Sequence, residues 1–263
     1  MLALFKPRPL ISESSAQWIF DTATWVLEHF DGEEILKRSR LILPSNEFFP
    51  GRVDSVHSKA LNIFNHTLTY SGLAHWPYQL QEPNAFLPRE MKDFPLEGLP
   101  QGIIERNSER PLAALNSRLP LNISYTPQQV GKPEDLSSSF AHFIAQIAVL
   151  QSRELPPGGA EYFAEATEML AIFMGFGVLF ANSAYTFRGG CGSCYNPAAN
   201  RVATLSEDEV VFALALYCQL KNIPNAEATR HLKKYLRGSY KKAVKQISRE
   251  TRQLENFTSQ RLS

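Results

Sequence analysis

The stretch from Glu134 to Tyr185 constrains the rest of the chain more than any other. It holds two apolar runs, each longer than a strand, separated by Leu155-Pro156-Pro157-Gly158-Gly159, which cannot continue a helix. The pattern predicts two long helices joined by a turn. On the first, Leu136, Phe140, Phe143, Ile147 and Leu150 form a stripe, while Ala141, Ile144, Ala145 and Ala148 make most of the remainder apolar. A helix apolar nearly all round is buried, so His142 and Gln146 are expected inside, where polar groups need partners. The bland solution is a hydrogen bond between these two side chains, one turn apart, supported by facing carboxylates.

On the second helix, Glu161, Glu165 and Glu168 fall at i, i+4 and i+7 and are expected along one face. They form either a solvated acidic stripe favoured by the helix dipole or, facing His142, a site for a proton or a cation. The longest apolar run, Met169 to Ala181, falls short of the ~20 residues that span a membrane, and reads as a buried core helix.

Composition places few limits on function. With 263 residues, 44% hydrophobic, 20% charged and a formal net charge of +1, the chain can bury a sizeable core and has no global field directed at nucleic acid or membrane. The opening MLALFKPRPLISE is interrupted by Lys6 and Pro7, too early for a secretory apolar region, so export is not expected and a cytoplasmic location is.

Ahead of the helix pair, residues 14–30 and 54–68 carry apolar side chains at helical spacing. His57 and His66 lie nine apart on the second of these helices, too far to share a metal directly. SRLILP at 39–44 reads as a short strand stopped by Pro44. Between Trp76 and Pro127, YQLQ, QGIIE and LNISYT suggest a small sheet, Leu121 to Tyr125 being the best strand because it alternates strictly.

Beyond the helix pair, Cys191 and Cys194 form a Cys-x-x-Cys in a glycine-rich loop. The ordinary reading is two reduced thiols, with a disulfide or a metal site completed by Cys218 and His231 as the alternatives. Ser206-Glu207-Asp208-Glu209 matches a capping box and should start a helix. Pro224-Asn225 should cap another, and Gly238 is expected to break 226–237 from 239–253. Between Lys221 and Arg252, ten Lys or Arg face two Glu, which reads as a solvated basic face or, alternatively, a contact for nucleic acid or an acidic partner.

HFIAQ at 142–146, followed by an acidic helix ending in FMGFGVLFANS, resembles the helix pair of zincin-type metallopeptidases. More narrowly, it is similar to a bacterial family of zincin-like proteins with an HELAH-type helix ahead of such an acidic helix. The resemblance covers about residues 134–220, a third of the chain. In the intact motif two His at i and i+4 bind Zn²⁺, the intervening Glu activates the bound water, and a distant carboxylate completes the site. Here the motif is degenerate: His142 remains, Phe143 stands at the general base and Gln146 at the second His. Aligned on GFGVLFANS, Ala164 takes the carboxylate ligand position and Glu168 its supporting acid, while a shift of one turn uses Glu161 and Glu165.

The resemblance implies an α+β fold, mostly helical, as a single zincin-like domain over 1–263. Residues 1–133 would hold helices and a small mixed sheet, 134–185 the core pair, and 186–263 C-terminal helices. It also implies an inactive peptidase site, vestigial at His142, Gln146, Glu161, Glu165 and Glu168, in a protein with a structural, binding or regulatory role. No cofactor is expected, with zinc as the alternative. A hydrolase using His142 with Glu165 or Glu168, or a non-zinc metal, is the competing reading. The sequence names no partner; it argues against a membrane and against nucleic acid, and leaves a protein partner open.

Overall fold

Every helix that frames the candidate site begins or ends where the sequence supplies a local stop. The computed structural model describes residues 8–83, 121–152, 154–187, 201 and 203–250. Helix α1 (Glu13–His29) is capped by Ser12, whose side chain accepts from Ser15 N, and buries Ile19, Phe20, Ala23 and Val26. Asp31, at φ 56, redirects the chain into α2 (Gly32–Arg38). Helix α3 (Val56–Ser71) starts on Ser55 and stops at Gly72, whose φ of 77 suits a residue without a Cβ.

Strands β1 (Tyr78–Leu80) and β2 (Leu121–Ile123) pair in parallel, Tyr78 opposite Leu121 and Leu80 opposite Ile123. The described sheet is therefore a two-stranded parallel ladder and not a mixed one, and QGIIE lies outside the described residues. The fold is mostly helical with this small sheet, an α+β arrangement.

The core helices follow. Helix α4 (Pro133–Ser152) packs on α3 and on the pair α5 (Phe163–Ala171) and α6 (Gly177–Phe187). Helix α7 (Glu207–Leu220) begins with the expected capping box and lies against α1, α6 and α9 (Leu236–Ile247), with the short α8 (Asn225–Arg230) before α9. The segment Ala160–Tyr185 is long and apolar enough to cross a membrane, but 83% of its most apolar window is buried inside the protein, as the core reading required.

Two expectations fail for instructive reasons. Leu41, Ile42 and Leu43 are buried, but residues 39–43 pair with no strand among the described residues. Their docking site is instead a kink between α5 and α6, a π-type segment at Ile172–Phe176 in which Gly175 adopts φ 110 and ψ 0. The kink frees a carbonyl from the helix ladder, and Gly175 O accepts from Ile42 N at 2.9 Å. Gly238, in turn, does not break the C-terminal helices, since it lies inside α9. The interruption comes earlier, at 231–235, where the Asn182 side chain donates to His231 O and accepts from Lys233 N, both at 2.9 Å. An external clamp, not glycine, stops the helix there.

A Cβ at residue 175 would sit 2.0 Å from Arg40 O, whereas at residue 238 it meets nothing within 4 Å. Gly175→Ala is predicted to destabilise by about 2–4 kcal/mol, combining the strained φ with a backbone clash. Gly238→Ala should stabilise by roughly 0.5–1 kcal/mol. Urea unfolding of the two variants checks both signs, and similar values for both would refute the docking role of the kink.

Candidate functional site

The polar residues singled out in the sequence are dispersed by their helices into three environments. The turn after α4 uses Gly158 and Gly159, both at φ 92, and is followed by a 3-10 turn at Ala160–Tyr162. Because α5 starts only at Phe163, Glu161 precedes it and is exposed. The three carboxylates therefore do not share one helical face. Glu165 is half-buried, and its Oε2 is enclosed without a hydrogen-bond partner among the described residues. Glu168 is fully buried.

Glu168 has an elaborate set of partners. Its Oε1 accepts from Arg201 Nη1 at 2.9 Å and from Thr204 N at 3.0 Å, and its Oε2 from Leu205 N at 3.4 Å. Arg201 is itself fully buried. Its Nη2 donates to Phe180 O and to Ser183 Oγ, both at 3.2 Å, and its guanidinium lies 4.3 Å above the Phe180 ring. Ser183 passes the network on, donating to Leu179 O at 2.7 Å and lying 2.9 Å from Ser138 Oγ on α4. Arg201 N donates to Ser139 Oγ, which also accepts from Gln129. Arg201 thus ties the segment leading into α7 to α5 and α6 through its guanidinium and to α4 through its backbone N–H.

Electrostatics within this core oppose one another. Burial pushes the Glu168 carboxyl up and the Arg201 guanidinium down, while each holds the other in its charged form; the two backbone donors act on Glu168 in the same direction as Arg201. The ion pair is the state the hydrogen-bond geometry supports. Asp135, at the start of α4, is also raised by burial, opposed by Lys132, Lys233 and Arg201.

His142 lies beside this network but not within it. It is 5% exposed, and Nδ1 has no hydrogen-bond partner among the described residues. Burial, and secondarily the nearby Arg201 charge, lower its pKa to about 3, so the imidazole is neutral. Gln146 is half-buried and makes no hydrogen bond to His142 among the described contacts, so the self-satisfied pair does not form. Phe143 is half-buried and its ring meets His142 edge-on at 5.6 Å.

Among the described residues no three His, Cys, Asp or Glu lie close enough to hold a metal ion. Glu168, whose oxygens are taken by Arg201 and two backbone amides, is a poor ligand or base. A cavity of about 360 Å³ beside the first turn of α4 is lined by Asn46, Lys59, Asn62, Glu134 and Ser137 among others, but by none of His142, Gln146, Glu165 and Glu168. Cys191 and Cys194 lie outside the described residues. Cys218 is buried, with its thiol pushed up to about 12 chiefly by burial. Two histidines on α3 have partners of their own: His57 Nδ1 is 3.2 Å from Tyr125 Oη, and His66 stacks on Tyr70.

No family model, curated protein or solved structure matches this chain.

Arg201 is the residue that sequence reasoning missed. A signal for it exists: a carboxylate committed to a helix as apolar as 163–187 requires a cation or backbone donors from elsewhere. Arg201, between that helix and the capping box at Ser206, is in reach of the chain order to supply one.

Two predictions come from this geometry. Arg201→Met or Glu168→Gln alone should each cost about 3–5 kcal/mol, the penalty for leaving one buried charge unpaired, and the double variant should cost less than their sum. A double-mutant cycle by chemical denaturation measures the coupling; strict additivity would refute the pair. For His142 the folded pKa lies below the unfolded one, so its contribution is complete above about pH 6.5 and is lost as pH falls toward 3. Stability should fall by up to about 1.4 kcal/mol per pH unit from this group below pH 6.5. Over the window from pH 6.5 down toward 3, Glu168, Asp135 and Glu134, raised by burial, act with the opposite sign, so the His142 contribution is the difference in slope between the protein and its His142 variant. His142→Leu should flatten the slope in that window.

Proposed function

We propose that this protein is a zincin-like protein whose peptidase site has decayed into a structural polar core, and that it works by binding or regulation without hydrolysing peptides. One observation carries the reading: Glu168, a carboxylate candidate of the motif, is saturated by Arg201 and the amides of Thr204 and Leu205. Phe143 at the base position supports it, because a phenyl ring cannot accept a proton from a metal-bound water. The polar core then serves to fix the approach of α4, α5 and α6.

A second reading, a hydrolase with an altered His/Glu site, rests on one observation. His142 Nδ1 and Glu165 Oε2 are both enclosed without partners among the described residues, and unpartnered buried polar atoms are uncommon in native folds. Activity assays separate the two readings. The protein is expected to leave casein intact with or without added zinc, and zinc is expected not to raise its melting temperature. Metal-dependent turnover abolished by His142→Ala would favour the second reading.

Descent from a zinc site has its own test. The triple variant Phe143→Glu, Gln146→His, Ala164→Glu restores the base, the second imidazole and a carboxylate ligand. Its apo form should be less stable, since it adds unpaired carboxylates to a largely enclosed site, and zinc should stabilise it by binding the folded state. A zinc-dependent rise in melting temperature is predicted for the triple variant alone. No rise in any variant would count against zincin ancestry.

A further inference from the structure

The basic C-terminal stretch folds into a surface with a sharply defined chemistry. From Ala228 to Arg249 the chain has no acidic residue. Helix α9 buries Leu236, Tyr240, Ala243 and Ile247 and leaves Lys241, Lys242 and Lys245 exposed; Arg230, Lys233, Lys234 and Arg249 extend the cationic surface at its two ends. None of these seven forms an ion pair with a described acid. Arg237 is different, since its guanidinium is turned inward onto Leu232 O and Arg230 O.

Two tyrosines stand at the start of this surface. Tyr185 is 74% exposed and Tyr235 57%, and they lie close enough for one phenol to influence the other's ionisation. Tyr235 Oη donates to Glu207 at 2.7 Å, which brings the acidic first turn of α7 (Glu207, Asp208, Glu209) to the edge of the cationic surface. The surface is thus basic along α9, aromatic at one end, and bounded there by carboxylates.

That pattern discriminates among anionic partners. A membrane surface would need apolar side chains free to insert, and the apolar face of α9 is already packed in the core. A long polyanion such as nucleic acid would have to run past Glu207, with Arg237 unavailable for a bidentate contact. A short acidic protein segment fits both ends, its carboxylates on the lysines and its apolar or aromatic side chains on the exposed tyrosines, the residue type that anchors protein interfaces. We propose that the α9 face, from Arg230 to Arg249 with Tyr185 and Tyr235, is a docking surface for an acidic segment of another protein. This stands on the surface alone, so its failure leaves the decayed-site reading untouched.

The test is fluorescence anisotropy on the full chain with three probes: a fluorescein-labelled Asp/Glu-rich peptide containing one Phe, an oligo-dT of equal charge, and phosphatidylserine vesicles. The peptide is expected to bind best, more weakly as salt rises. Lys241→Glu/Lys245→Glu should weaken it at least about tenfold and Tyr185→Ala/Tyr235→Ala about threefold or more, while Arg52→Glu, on the loop before α3, should change it less than about twofold. Absence of peptide binding, loss of affinity equal in the Arg52 control, or tighter binding of oligo-dT or vesicles would each overturn the proposal.

Discussion

A guanidinium shut away from water is the physical constraint on which this fold turns. Taking an arginine and a glutamate out of solvent costs several kcal/mol per ion, offset only by close ion-pair geometry and additional hydrogen bonds. Arg201 Nη1 and Nη2 and both Glu168 oxygens are met by each other and by groups from separate parts of the chain: the backbone at 204 and 205, the Phe180 carbonyl and the Ser183 hydroxyl. The consequence is geometric. Apolar helices can slide past one another at small cost, but a network that must close at hydrogen-bond distance allows one register of α4 against α5 and α6.

Around it the other fixed points have the same character. The Gly175 kink gives residues 39–43 a backbone acceptor, and the Asn182 side chain holds the turn between α8 and α9. Each is a polar contact in an apolar surrounding. Together they specify an arrangement that hydrophobic burial alone would leave degenerate.

How much of this was legible depends on the range of the interaction. Helices with a clear apolar stripe and a local cap were readable: α1 begins within a residue of its expected start, and the Ser206 capping box forms as its spacing requires. The burial of His142 followed from its apolar neighbours on α4. What could not be read was the chain's response to a non-local demand. Residues 39–43 have strand composition, yet their partner is a helix kink made possible by Gly175. Glu161, Glu165 and Glu168 have helical spacing, but the turn at Gly158-Gly159 delays the helix and separates the first from the others. Arg201 lies 33 residues from its partner, and no periodicity links them.

The candidate site therefore changes meaning between sequence and structure. As a motif, HFIAQ at 142–146 resembles a zinc-binding helix with two substitutions. As a geometry it is an imidazole whose Nδ1 has no hydrogen-bond partner among the described residues, beside an ion pair that already supplies the positive charge a carboxylate-bearing core requires. Elemental analysis of protein purified without chelator or affinity-tag metal tests this most directly. The account predicts no stoichiometric metal; one equivalent of zinc that is lost in His142→Ala would contradict it.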